Sequence, residues 1–337
     1  MTGPSGAPGV AQPLPSAFWQ DHRAVVAVLG VFFCASAVFF AWLGRWDWWQ
    51  IRLSYPVFAI LALLGSGVRL LLAYLGRQRQ VWSWTSVLGA AFVFAAICPF
   101  QSTFNSLKQT LDDVRGFGWD VTLARADWWL HGGRHPWEWL WPLVGHATTL
   151  RWMDRVYVAW FPLLLVFLIC VAWMPDRHLR QRALTATLVT WIVCGVMLAF
   201  VFPSAGPCYY GAVTGLTVDP FAPLMATLRA HEAHGFLFAT FNQRGLWAAS
   251  QQDVWLPFGG ISAMPSLHVG MAVLMALVAG RQGRLLGTLA WLYTIAVQIG
   301  SVALGWHYAI DGYLAGACAF ALWRLSALVD SPITCDP

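Results

Sequence analysis

This sequence has unusually few charged residues. Only 10% of its 337 residues are Asp, Glu, Lys or Arg, and Lys108 is its single lysine. A soluble globular domain usually carries about 25% charged residues, so the composition excludes that class of protein. The net charge of +5 is also too small to indicate a protein that binds nucleic acid.

Cysteine is present without a pattern that would use it. The seven cysteines form no Cys-x-x-Cys pair and show no metal-ligand spacing. Most of them lie in apolar runs, where cysteine acts as a small hydrophobic residue. We therefore predict no structural disulfide, no metal site and no cofactor.

Apolar residues dominate what is there. They make up 58% of the chain, and the mean hydropathy is +0.59. Stretches of about 20 apolar residues, the length that crosses the hydrocarbon layer, recur along the sequence. They predict an all-α integral membrane protein with eight transmembrane helices at 24–43, 53–75, 81–100, 153–174, 184–203, 262–280, 286–304 and 307–327.

The segments outside these spans differ in composition. Residues 1–20 are rich in Gly, Pro, Ser and Ala and are predicted to be a disordered cytoplasmic tail, and 329–337 form a short C-terminal tail. The long connections 101–152 and 204–261 are rich in Trp, Gly and Pro. Their tryptophans suit the headgroup interface of a bilayer.

Arginines predict the orientation of the chain. They lie in three short loops that share one face of an eight-span bundle, and the positive-inside rule makes that face cytoplasmic. Both termini are then cytoplasmic and both long connections are exoplasmic, at the plasma membrane if the protein is bacterial. The arginines of these loops are Arg77, Arg79, Arg177, Arg180, Arg182, Arg281 and Arg284, whereas Arg45 and Arg52 fall on the other side.

Three polar segments are predicted to meet at the exoplasmic surface. Span five ends in 202–207, span six begins in 262–268, and spans seven and eight join at 305–311. Because consecutive spans run in alternating directions, these segments lie at the same level of the membrane. About a hundred residues separate the first segment from the last.

The residue types in these segments fit phosphoryl transfer. His307 and Asp311 are four apart, so on a helix they share a face, and the carboxylate can orient the imidazole. His268 follows Pro265 in the first turn of a helix, where the free amides favour an anion. A nucleophilic histidine, an orienting aspartate and a second histidine as general acid would suffice for transfer through a phosphohistidine without metal.

Readings from other classes stay open on these residues. Intramembrane His and Asp also build proton relays, as in a polytopic transporter, although no repeated half is visible. A hydrolase with Ser266 as nucleophile lacks the Gly-x-Ser-x-Gly elbow. A lipid-binding protein without catalysis is the remaining alternative.

The motifs also carry a resemblance to a known family. Pro265-Ser266-Leu267-His268 and His307-Tyr308-Ala309-Ile310-Asp311 resemble the second and third signature motifs of the type 2 phosphatidic acid phosphatase superfamily. The residues in these two motifs are similar to those of its aureobasidin-resistance branch, which includes inositol phosphorylceramide synthases. Two further stretches resemble this branch, Phe202-Pro203-Ser204-Ala205-Gly206-Pro207 and, upstream, Ala126-Asp127-Trp128-Trp129-Leu130-His131-Gly132-Gly133.

The resemblance implies a metal-independent enzyme built on a six-helix core, with two additional N-terminal helices. We place N-terminal transmembrane helices in 21–100 and a lipid phosphatase-like core in 101–328. The resemblance makes His307 the nucleophile, Asp311 its partner and His268 the acid for the leaving group. The implied substrate is a phospholipid or other lipid phosphate, and the acceptor a polyol such as inositol, a lipid alcohol of the sphingolipid type, or water.

Departures from the family pattern concern the cations that bind phosphate. The third motif often carries Ser-Arg six residues before its histidine, but here Gly300 and Ser301 occupy these positions. The first motif, Lys-x6-Arg-Pro, is absent near span five; Lys108 and Arg115 repeat its spacing two spans earlier, with Gly116 in place of Pro. The candidate substrate-binding residues are Ser266, Pro203, Ser204, Arg244 and Lys108, with Arg155 as a further cation.

Overall fold

The computed structural model describes residues 14–46, 54–76, 84–252, 254–256 and 259–329. These residues form helices and turns, with no strand among them, so the prediction of an all-α membrane protein is confirmed. The helices are α1 Leu14–Leu43, α2 Ser54–Leu75, α3 Trp84–Gln109, α4 Leu111–Arg115, α5 Asp120–Leu130, α6 Pro136–Val144, α7 Ala147–Val158, α8 Trp160–Ala172, α9 Arg177–Ile192, α10 Leu198–Val201, α11 Tyr210–Thr214, α12 Ala222–Ala233, α13 Phe238–Gln251, α14 Leu267–Gln282, α15 Arg284–Ala303 and α16 Ala309–Val329.

Each predicted span overlaps one or two of these helices, although the sixth, 262–280, begins five residues before α14. The fourth span corresponds to the consecutive helices α7 and α8, and the fifth to α9 and α10, joined by a π-helical turn. Within the described ranges, five helical segments are long and apolar enough to cross a membrane: His22–Leu43, Val87–Arg115, Ala147–Ala172, Arg177–Val201 and Arg284–Ala303. The apolar parts of α2 and α14 are shorter, and α16, which corresponds to the eighth predicted span, is not among the five.

Helix α1 begins at Leu14, so residues 14–20 of the predicted N-terminal tail are helical. Pro15 stands in the first turn, where a missing amide breaks no hydrogen bond of the helix. The tail residues before Leu14, and 330–337 of the C-terminal tail, lie outside the described residues.

Helix α14 is the centre of the bundle. It packs against α8, α9, α15 and α16, and its residues from Val269 to Ala276 are all buried. A helix that is apolar on every side is expected in such an enclosed position. Gly270 faces α16, since a Cβ there would be in van der Waals contact with Ala315, 3.4 Å from its carbonyl oxygen.

The fourth span has an irregular turn near its middle, at Ala159. Helix α7 ends at Val158 and α8 begins at Trp160. Pro162 explains the irregular turn, because it has no amide hydrogen to donate to the carbonyl four residues earlier. Residues on both sides of this turn, Tyr157, Trp160 and Phe161, contact His268 of α14.

Both long connections contain helices that the sequence prediction did not include. The first holds the end of α3 and helices α4 to α6, and the second holds α11 to α13. Helix α5 packs on α16 and α11, α6 on α15, and α13 on α7. These short helices cover the end of the bundle at which α14 and α16 begin.

Candidate active site

The structure brings the three polar segments together. The amide of Ala263 donates to the carbonyl of Ser204 at 2.9 Å, and the amide of Ser266 donates to the carbonyl of Asp311 at 3.1 Å. These bonds join the segment before α14 to the end of the fifth span and to the start of α16. The convergence expected from alternating spans is therefore present in the fold.

Two acceptors hold the imidazole of His307 by one nitrogen. Its Nδ1 lies 2.8 Å from the carbonyl oxygen of Ala263 and 3.4 Å from Oδ2 of Asp311. A carbonyl oxygen can only accept, so Nδ1 carries a proton, and in the neutral ring Nε2 then keeps its lone pair. The closer partner is thus a backbone carbonyl, whereas the sequence pointed to Asp311 alone.

Asp311 is fully buried in the first turn of α16. Its Oδ2 accepts from the amide of Tyr308 at 3.0 Å, which closes the turn that carries His307. Its Oδ1 is buried and has no hydrogen-bond partner among the described residues. The carboxylate therefore braces the His307 loop as well as the imidazole.

His268 faces His307 across the site and is surrounded by aromatic rings. The centroids of the two imidazoles are 6.4 Å apart. Tyr157 stacks on His268 at 4.9 Å with an interplanar angle of 18°, and Trp160 lies at 4.2 Å. Trp160 also donates from its indole nitrogen to the carbonyl of His268 at 3.0 Å. The ring is held in one orientation by these contacts.

The beginning of α14 offers several unused donors. Ser266 precedes the helix, and its hydroxyl is buried without a partner in the part of the chain that the structure describes. The amides of Leu267 and His268 likewise make no hydrogen bond to a described residue. A helix N-terminus with free amides is a favourable place for an anion.

The candidate cations differ in whether they lie near the two histidines. Lys108 lies near the end of α3, close enough to His268 for its charge to act on that ring. Gly260 packs on it, since a Cβ there would lie 3.0 Å from Cγ of Lys108. No described carboxylate forms an ion pair with this lysine. Of the candidate cations, Lys108 is the one whose charge acts on His268.

The other basic candidates are engaged elsewhere. Arg244 is exposed on α13 and binds Glu232 with both arms of its guanidinium, at 2.7 Å for Nη2. This ion pair lowers the pKa of Glu232. Arg155 is exposed and lies over the ring of Trp152 at 5.4 Å, and Arg115 donates to the carbonyl of Phe200. No contact joins these arginines to His268 or His307.

Pro203 and Ser204 are buried and connect segments of the backbone. The carbonyl of Pro203 accepts from the amides of Gly118 and Trp119, at 3.2 Å and 3.1 Å. The hydroxyl of Ser204 accepts from the amide of Met264 at 3.1 Å. Both residues therefore support the loop before α14, and their hydrogen bonds are directed to the protein.

The comparison with protein families matches residues 121–325 to the model of the PAP2 superfamily. The chain belongs to the PAP2 superfamily. No curated protein and no solved structure gives a significant match. This PAP2 superfamily protein is thus a multi-pass membrane protein of a superfamily whose members are phosphatases and phosphotransferases. The matched region contains His268, His307 and Asp311, and it excludes Lys108.

Two buried carboxylates on α5 support the site in this PAP2 superfamily protein. Asp127 accepts from the first amides of α16, of Ala309 at 3.0 Å and Ile310 at 3.2 Å. Asp120 accepts from the amides of Ala205 and Gly206, at 2.9 Å and 2.8 Å. Helix α5 therefore fixes both the start of α16 and the loop after the fifth span.

Sequence reasoning included Asp127 only in a stretch that resembles the family, and it gave neither aspartate a role. Asp120 also accepts from the hydroxyl of Tyr308 at 2.8 Å, so it holds the residue next to His307. Burial raises the pKa of both Asp120 and Asp127, and the donated hydrogen bonds oppose that rise. Their spacing of seven residues, which places both on one face of a helix, was the available signal.

Proposed function

We propose that this protein is a lipid phosphotransferase or phosphatase that works through a covalent phosphohistidine on His307. The observation that carries the proposal is the hydrogen bond from Nδ1 of His307 to the carbonyl of Ala263. It leaves the lone pair of Nε2 free to attack, and the second imidazole faces it with 6.4 Å between centroids. Membership of the PAP2 superfamily supports a reaction on a phosphate ester.

The proposed reaction has two steps. Nε2 of His307 attacks phosphorus, the bond to the departing alcohol breaks, and protonated His268 gives its proton to that oxygen. An acceptor hydroxyl or water then attacks phosphorus, gives its proton to His268, and the phosphorus–nitrogen bond breaks. Asp311 stabilises the positive charge that develops on His307 in the first step.

The phosphoryl oxygens are proposed to bind at the start of α14. The amides of Leu267 and His268, the hydroxyl of Ser266 and the ammonium of Lys108 supply the donors and the positive charge. Pro203 and Ser204 shape this pocket through the backbone bonds of the preceding loop. Arg244 remains a candidate only if its ion pair with Glu232 opens.

The finer parts of the proposal concern location and acceptor. The arginines of the short loops support an exoplasmic site with cytoplasmic termini. The resemblance to the aureobasidin-resistance branch supports transfer of a phospho-alcohol head group, such as phosphoinositol, to a lipid acceptor. Water as acceptor would give a phosphatase at the same site.

The test is rapid quenching of purified protein with phospholipids that carry radiolabelled phosphate, with and without inositol or ceramide. We expect acid-labile, base-stable label on histidine in the wild type and none in His307→Ala. His231→Ala is the matched control, because His231 contacts the carbonyl of Gly145, away from the site. Label or near-wild-type turnover in a well-folded His307→Ala protein would overturn the proposal and favour the transporter or serine-hydrolase readings.

A further inference from the structure

Tyr157 presents a buried hydroxyl that the fold does not use. The residue lies near the end of α7, only 5% exposed, with its ring flat against His268. Its hydroxyl has no hydrogen-bond partner among the described residues. The groups that act on it electrostatically are Tyr293, Cys208 and Asp311, and Asp311 is the partner of His307.

Two other buried tyrosines of the chain direct their hydroxyls to protein acceptors. The hydroxyl of Tyr209 donates to the carbonyl of Gln243, and that of Tyr308 donates to Asp120, each at 2.8 Å. A buried hydroxyl without a partner is costly and uncommon in folded proteins. A group that is retained at this cost beside a reactive histidine is expected to meet its partner in the substrate.

A glycine on α15 makes room for this tyrosine. A Cβ at Gly300 would lie 3.3 Å from Cδ2 of Tyr157 and 3.2 Å from the sulfur of Met153. Gly300 and Ser301 occupy the positions where the family pattern often has Ser-Arg. The hydroxyl of Ser301 donates a hydrogen bond to the carbonyl of Gln298 at 2.8 Å. Next to α15, the site therefore has a neutral donor, the hydroxyl of Tyr157 on α7.

We propose that the hydroxyl of Tyr157 donates a hydrogen bond to a non-bridging phosphoryl oxygen of the lipid-phosphate substrate, while its ring keeps His268 in place. This inference rests on the proposed function and adds a specific substrate contact to it. A fixed donor aimed at an oxygen that gains charge strengthens in the transition state. Tyr157 thereby acts as a substrate-binding residue in a site with few cations.

Tyr157→Phe removes only the hydroxyl and keeps the ring that stacks on His268. Loss of a hydrogen bond to a charged group typically corresponds to about ten- to hundredfold in the equilibrium or rate that depends on it. We therefore expect kcat/KM for a lipid phosphate to fall by about that factor in full-length protein in lipid nanodiscs. Tyr293→Phe is the matched control, because the Tyr293 hydroxyl donates to the carbonyl of Val156 at 3.2 Å.

Vanadate provides a second measurement that does not need turnover. Vanadate should raise the melting temperature of the wild type and of Tyr293→Phe, and it should inhibit both proteins. For Tyr157→Phe, either effect should require a vanadate concentration about ten times higher. If Tyr157→Phe fails to fold, Gly300→Ala is the substitute. It keeps the hydroxyl but crowds the ring, and should weaken vanadate binding in the same direction.

The outcomes separate this inference from the proposed function. Equal vanadate affinity in the wild type and Tyr157→Phe would overturn the inference, whether or not turnover is affected. Reduced turnover with unchanged vanadate affinity would overturn it as well, because the hydroxyl would then act away from the phosphoryl group. A wild type that neither turns over lipid phosphates nor binds vanadate would remove both proposals together.

Discussion

Replacing Asp127 with asparagine tests whether α5 holds the catalytic helix in place. The carboxylate is 1% exposed and accepts from the amides of Ala309 and Ile310, which begin α16. Asparagine keeps one acceptor oxygen and turns a donor toward the other amide. An unpaired buried donor costs about 1–3 kcal/mol, and a lost N-terminal cap typically costs about 1 kcal/mol, so we expect a destabilisation of about 2–4 kcal/mol.

The loss of activity should exceed what this destabilisation explains. Asp311 lies in the first turn of α16, and His307 is two residues before that helix begins. A displacement of reacting groups by about 1 Å can cost on the order of a hundredfold in rate. We expect kcat to fall by about ten- to hundredfold at a temperature well below the melting point of the variant.

Asp154→Asn is the matched control for this experiment. Asp154 also accepts from two backbone amides, of Phe238 and Ala239, at 2.7 Å and 2.9 Å, but these begin α13. Both variants should melt earlier than the wild type in a thermal scan of the purified protein, and only Asp127→Asn should lose turnover. Equal turnover in the two variants would refute the positioning role of α5.

Three further predictions address the site and the topology. Lys108→Ala should raise KM for a lipid phosphate about tenfold or more, because a charged contact is lost. Arg244→Ala should change KM by no more than about twofold, because the guanidinium of Arg244 is bound to Glu232. The reverse order would favour Arg244 as the phosphate-binding cation. His268→Ala should slow turnover of a lipid phosphate by about 10²–10⁴-fold. The loss should be much smaller with a nitrophenyl phosphodiester, because its leaving group needs no proton. Equal losses on the two substrates would argue against a general acid. On a cysteine-depleted background, an impermeant thiol reagent should label Val218→Cys but not Gly283→Cys in intact cells, and the opposite pattern would invert the orientation.

The spans and their convergence could be predicted because both depend on local properties of the sequence. Apolar run length defines a membrane helix, and alternating direction then places His268 and His307 at the same level. The helices of the long connections were missed because Trp, Gly and Pro conceal helical periodicity there. Pro136 and Pro142, for example, both lie within the short helix α6.

The contacts that hold the site could not be predicted, because they join residues far apart in the chain to backbone atoms. The carbonyl of Ala263 that binds His307 has no signature in the sequence, since every residue has such an oxygen. The same holds for the amides that bind Asp120 and Asp127. Likewise, only the fold shows that Arg244 has an acidic partner and Lys108 has none among the described residues.

The capping of α16 by Asp127 makes the two helix ends at the site unequal. Both α14 and α16 begin there, and each would by itself attract an anion. The first amides of α16 are already bound to a protein carboxylate, whereas those of α14 are not. An incoming phosphate is thus drawn toward His268 and away from the helix that follows His307. If His307 attacks and His268 protonates the leaving group as proposed, the free amides of α14 place the phosphoryl group on the His268 side before the reaction begins.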